Sequence, residues 1–207
     1  MAALDADSPF KDLVFSDLER YRGPGARGWL RVLLTCVMEP GMVASVMIRA
    51  QQAFVRRGRT GPARLLRSMG AYLLGCDINP GARIGPGFLM PHPQGVTFGF
   101  DTVIGANVTF AGGVTLAARY PDPRMRGFDP DQRFARIGDG VTIGAHAVVV
   151  GEITIGEDAL VGANAVVTAD VAASTVVFGN PARKVGVRDF GNDDPARAIE
   201  PAETPAD

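Results

Sequence analysis

The stretch "IGDGVTIGAHAVVVGEITIGEDALVGANAVV", residues 137–167, decides the fold. Aliphatic side chains stand at Ile137, Ile143, Val149, Ile155, Val161 and Val167, six residues apart without a break. Glycine follows four of them, at Gly138, Gly144, Gly156 and Gly162. Neither a helix of period 3.6 nor a long alternating strand produces that spacing. A hexad with one inward side chain followed by glycine makes a short strand and then a tight corner. Three such sides close a triangular coil of eighteen residues. Ile137 then stacks under Ile155, and Ile143 under Val161, at about 4.8 Å per coil. The expected fold class is mainly β, a parallel β-helix of six-residue repeats.

The same period extends toward the N-terminus. Phe98, Ile104, Phe110 and Leu116 form one earlier set, and Ile78, Ile84 and Met90 another. Small or branched residues recur four positions after the anchors, at Val108, Val114, Val141, Ile153 and Ala165. Two interruptions break the register. One is a two-residue slip around "PHPQG", residues 91–95, which carries His92, one of two histidines in the chain. The other is "AARYPDPRMRGFDPDQRFAR", residues 117–136, which must leave the coil as a loop. Loops that leave a rigid repeat are where binding residues concentrate.

Repeats of this kind bury their anchors only against neighbouring coils, so both ends need a cap. Residues 1–75 supply a helical one. Ser8 and Pro9 read as an N-cap and first turn. Apolar residues then recur at helical spacing in "WLRVLLTCVM", "MVASVMIRAQQAFVRR" and "ARLLRSMGAYLLG". The β-helix is expected over 76–186, with the loop at 117–136. Residues 187–207 are acidic and rich in proline and alanine, and are expected to be disordered.

Composition narrows the partners. A hydrophobic fraction of 46% with 21% charge is that of an ordinary globular chain. A net charge of −1 gives no reason to expect nucleic acid or an anionic membrane. The apolar stretches at 29–38 and 42–48 are too short to span a bilayer, and "MAALDADSPFKDL" lacks the apolar core of a signal peptide. A cytoplasmic location is the expectation. Cys36 and Cys76 lie in apolar surroundings and read as reduced thiols.

Four segments carry a resemblance to a known family. "DINPGARIGPGF" is similar to a "DIHPxAxIGxG" opening, and "PHPQGVTFG" takes the place of "DHxTGxVIG". The stretch 137–167 follows the same family's final coils, and "GNPARKV" is similar to its "GxPAR" exit. From about residue 40 to 186 the chain resembles the left-handed β-helix acyltransferases, and among them the serine O-acetyltransferases. The resemblance implies acetyl-CoA as acyl donor, a small-molecule hydroxyl acceptor, no metal, and a homotrimer or dimer of trimers. His92 falls on the family's catalytic histidine. Asp77, fifteen residues earlier, falls on the aspartate that orients it. Such a pair suits the chemistry. A neutral imidazole can take the proton of a hydroxyl attacking a thioester, and a carboxylate on its other nitrogen fixes the tautomer. Arg133 matches the arginine that meets the acceptor's carboxylate. Ala145 and Ala163 match positions whose backbone runs beside the pantetheine arm, and Arg183 and Lys184 stand where basic groups could meet the CoA phosphates.

The departures bear mostly on the acceptor. Phe134 replaces the family's second active-site histidine, and Pro91 replaces the aspartate before His92. "VTLAA" stands for "VTLGG", and the "DPAxD" serine-pocket segment is not visible. His146 occupies a position where the family commonly has glycine, and either a donor-channel role or an exposed corner fits it. Three further readings follow: transfer to a sugar, polysaccharide or specialised metabolite, a non-catalytic β-helix, and a metal-dependent hydratase. The last needs three converging ligands, and two histidines do not supply them.

Overall fold

The computed structural model describes residues 4–119 and 133–188, and the backbone of 199–201. Four helices lead: α1 (Phe10–Arg22), α2 (Trp29–Met38), α3 (Pro40–Arg56) and α4 (Thr60–Leu74). The helix start differs by one residue from expectation. Ser8 Oγ instead donates to the Asp5 carboxylate, and Pro9 occupies the N-cap position without a side-chain cap.

The remainder is a left-handed parallel β-helix with three faces. The first face stacks β1 (Asp77–Ile78), β3 (Thr97–Phe98), β6 (Thr115–Ala117), β9 (Val148–Val150) and β12 (Val166–Val167). The second holds β2 (Arg83–Ile84), β4 (Val103–Ile104), β7 (Arg136–Ile137) and β10 (Thr154–Ile155). The third holds β5 (Thr109–Phe110), β8 (Thr142–Ile143), β11 (Leu160–Val161) and β13 (Thr175–Phe178). It is extended by two antiparallel strands, β14 (Arg183–Arg188) and β15 (Ile199–Pro201).

Register follows the hexads. Ile137 pairs with Ile155, Ile143 with Val161, and Val149 with Val167, each eighteen residues on. All thirteen anchors are at most 3% exposed. Glycine after an anchor is a matter of coil spacing, since a Cβ on Gly144 would lie 2.5 Å from the Ala163 nitrogen of the next coil.

Both interruptions are where the repeat loses its register. Ile78 pairs with Phe98, twenty residues on, whereas Phe98 pairs with Leu116, eighteen on. The two extra residues fall between Met90 and Val96, so the corner carrying His92 is a bulge. Ile104 pairs with Ile137, thirty-three residues on. The excess is the expected loop, of which residues 120–132 lie outside the described residues. Within the expected tail, β14 runs on to Arg188 and 199–201 pairs with it, while 189–198 and 202–207 lie outside the described residues. Backbone hydrogen bonds hold that pairing, so the acidic, Pro/Ala-rich composition gave no sign of it.

The helices are fastened to the first coil through one buried ion pair. Arg49 of α3 donates to both carboxylate oxygens of Asp17 on α1, at 2.8 Å each. It also donates to the carbonyls of Ile84 (2.7 Å) and Gly85 (2.6 Å). Asp17 in turn accepts the Phe88 N–H at 2.9 Å. Both side chains are essentially inaccessible. Burial pushes the Asp17 carboxyl above its usual range, opposed by Arg49. Further along α1, Arg20 donates to the Gly87 carbonyl and Tyr21 to that of Met90. Residues 84–90, which lead directly into the His92 bulge, are thus held along their length.

Candidate active site

The bulge turns His92 outward. Its side chain is exposed between half-buried Pro91 and buried Pro93. Two consecutive glycines on the next coil lie against it. A Cβ on Gly112 would sit 3.2 Å from the His92 carbonyl oxygen and 3.4 Å from its Cβ. Gly113, at φ +75°, donates its N–H to the Gln94 carbonyl at 2.8 Å.

Asp77 opens the first face just past the same corner, where Gly95 N–H donates to the Gly75 carbonyl. Its carboxylate meets a residue that the sequence reading did not single out. Arg67 of α4 donates through Nε to Oδ1 (2.5 Å) and through Nη2 to Oδ2 (2.9 Å). These bonds push the Arg67 guanidinium above its ordinary value. The expected Asp77–His92 hydrogen bond is not among those of the described residues. The bidentate geometry with Arg67 uses one lone pair on each oxygen and leaves others for a second donor. Arg67 and Asp77 line a pocket of about 790 Å³ between α4 and the turn at Asn79–Gly81, together with Arg64, Ser68, Tyr72 and Phe100.

The remaining predicted residues divide between two edges. Ala145 and Ala163 stack on the His92 corner, one coil apart, through the Asn164 N–H to Ala145 carbonyl bond. Arg183, beside Phe178 in the pairing of β14 with β13, stands at the end of that same edge, and Lys184 follows it. Both are exposed. Arg133 and Phe134 lie at the other end of the first face, where the loop returns. The Phe134 ring covers Gly99, leaving no room for a Cβ there, and meets Phe100 edge-on at 5.9 Å. Among the described residues no group of three or more His, Cys, Asp or Glu side chains is placed to hold a metal ion. Among them, too, no helix is long and apolar enough to cross a membrane. Cys76 is buried and Cys36 half-buried, and burial pushes both thiols up.

Comparison with known proteins converges on one family. Residues 134–169 match the family model for bacterial transferase hexapeptide (six repeats). A serine acetyltransferase of Helicobacter pylori (strain 26695) is 36% identical over 176 residues, covering 84% of this chain and 96% of that protein. The structure titled soybean serine acetyltransferase complexed with serine superposes with a TM-score of 0.70 at 38% identity, covering 85% of this chain and 69% of that one. A Brucella abortus serine acetyltransferase in complex with coenzyme A gives 0.71 at 29% identity, covering 84% and 67%. The chain spans 42% to 63% of the length of the plant relatives it matches. The β-helix with its helical cap, matched over nearly the whole of a bacterial relative, places this chain in the serine acetyltransferase family of hexapeptide-repeat proteins.

Proposed function

We propose that this protein transfers an acetyl group from acetyl-CoA to the hydroxyl of L-serine or a closely related amino acid. His92 acts as general base and Asp77 orients it. The observation that carries this reading is the two-residue bulge, which lifts His92 out of an otherwise regular prism at the corner that leads into the face opened by Asp77. The hydroxyl loses its proton to His92 as its oxygen attacks the thioester carbon. The resulting tetrahedral adduct then breaks its C–S bond, and the departing thiolate recovers a proton from the imidazolium. Asp77 stabilises that imidazolium, and the two hydrogen bonds from Arg67 fix the orientation of the Asp77 carboxylate. No acyl-enzyme is required.

The His92 edge suits the donor. Its corners run from the bulge through Gly112, Ala145 and Ala163 to Gly179, about 19 Å at about 4.8 Å per coil. That length accommodates an extended pantetheine arm, with Arg183 and Lys184 at the far end for the phosphates. A Brucella relative bound to coenzyme A and a soybean relative bound to serine support the choice of donor and acceptor.

Arg133 would meet the acceptor's carboxylate. It stands one whole face from the His92 corner, about 13 Å at about 3.3 Å per residue. A neighbouring copy of the chain closes that gap, which supports a trimer with its sites at the seams. Arg133→Ala is expected to raise the KM for serine at least tenfold while leaving the KM for acetyl-CoA within twofold. Steady-state kinetics with each substrate varied in turn measures both. An acceptor KM indifferent to Arg133 would favour the second reading, transfer to a sugar or specialised metabolite. The Phe134 ring over Gly99, apolar where the family has histidine, is the observation that favours it.

A further inference from the structure

We propose that His146 is a second imidazole of this site, contacting the acyl donor and donating a hydrogen bond to its thioester carbonyl. This rests on the acyl-transfer reading given above. The chain's two histidines share one edge of the prism, on either side of the Gly112–Gly113 corner. Gly113 N–H reaches the Gln94 carbonyl of the His92 bulge at 2.8 Å, and His146 N–H reaches the Gly112 carbonyl at 2.9 Å. The His146 ring lies directly over Gly113, leaving no room for a Cβ there, so it leans along the edge toward His92. Gly112 lies against His92 less closely, a Cβ there meeting the His92 carbonyl oxygen at 3.2 Å. The two glycines thus form a corner without side chains, a saddle with the His92 bulge on one side and the His146 ring seated on the other.

The backbone of His146 adds a second observation. It holds φ +58°, a left-handed conformation that glycine takes freely and asparagine tolerates. Asn164, stacked on it one coil later, holds the same angle. Folding alone would be served as well or better by glycine or asparagine at 146. The imidazole is exposed, and its packing is on the Gly113 backbone of the neighbouring coil, a contact that faces the His92 bulge.

In the saddle the chemistry is shared between two groups. The acceptor oxygen loses its proton to His92 and bonds to the acyl carbon, whose carbonyl oxygen takes the electron pair. An imidazole N–H from His146 meets that oxygen as its charge develops. The pair returns when the C–S bond breaks, and the thiolate takes its proton from His92.

The test compares wild type, His146→Gly, His146→Asn and His92→Ala by thiol release from acetyl-CoA, with melting temperatures alongside. Loss of one oxyanion donor costs on the order of 100-fold in kcat. His146→Gly is expected to lose about that much, with the acceptor KM within twofold and the melting temperature equal or higher. His146→Asn, which keeps both the backbone angle and an N–H donor, is expected to recover to within about tenfold of wild type. A His146→Gly enzyme with wild-type kcat overturns the proposal while leaving His92 intact. A His92→Ala enzyme that still turns over overturns the underlying reading instead.

Discussion

Arg49→Met is expected to lower unfolding stability by about 3–5 kcal/mol, the cost of leaving a buried charge without its partner. The whole stability of a domain this size is about 5–15 kcal/mol, so the loss is a large share of it. Three sets of groups are orphaned at once: the Asp17 carboxylate and the carbonyls of Ile84 and Gly85. All lie between the helical cap and the first coil, where Arg49 and Asp17 are essentially inaccessible to solvent. The double variant Asp17→Leu, Arg49→Met removes both charges and is expected to regain most of the loss, since apolar replacements of buried pairs are often neutral. Urea unfolding of the two variants beside wild type measures the difference. A loss below 1 kcal/mol in Arg49→Met would mean that the cap is held by its apolar contacts and by the Arg20 and Tyr21 hydrogen bonds without need of the ion pair.

His92→Ala has the opposite profile. A positioned general base contributes about 100- to 10,000-fold, and kcat is expected to fall by that factor. The side chain is exposed, so stability should stay within about 0.5 kcal/mol of wild type. The bulge is held by Tyr21 at the Met90 carbonyl and by backbone bonds at Gln94 and Gly95, none of which uses the imidazole. Burial pushes the Tyr21 hydroxyl up to about 12, so it remains a neutral donor across the working pH range. Turnover and chemical denaturation, measured on one preparation, separate the chemical role of His92 from the structural role of Arg49.

The β-helix was legible because one inward side chain per hexad fixes both the strand and the corner that follows. Ile137, Ile143, Val149 and their successors admit no other closed packing. The bulge was legible for the same reason, since a two-residue slip in a rigid period can only be absorbed at a corner. The helical region was less so. Asp17 and Arg49 lie on helical faces that also carry Leu13, Val14 and Ile48. Helical periodicity shows which face is apolar but not that two charges on it neutralise each other. Arg67 was missed although only ten residues separate it from Asp77. The turn of chain at Gly75, in the left-handed conformation at φ +65°, folds α4 back onto β1. Nothing in spacing alone reveals that reversal. His146 was visible as a departure from the family, but its bearing on His92 was not. The corner stacking that relates them crosses the thirty-three-residue coil, whose length hides the register.

Thiol release from acetyl-CoA is the most direct test of acyl transfer to a small hydroxyl acceptor. Wild-type protein should release free CoA in step with formation of O-acetylserine when L-serine is supplied, and His92→Ala should not. Wild-type protein that binds acetyl-CoA yet releases no thiol with serine, homoserine or any sugar would contradict acyl transfer, and would point to a β-helix that keeps the binding edge without the chemistry.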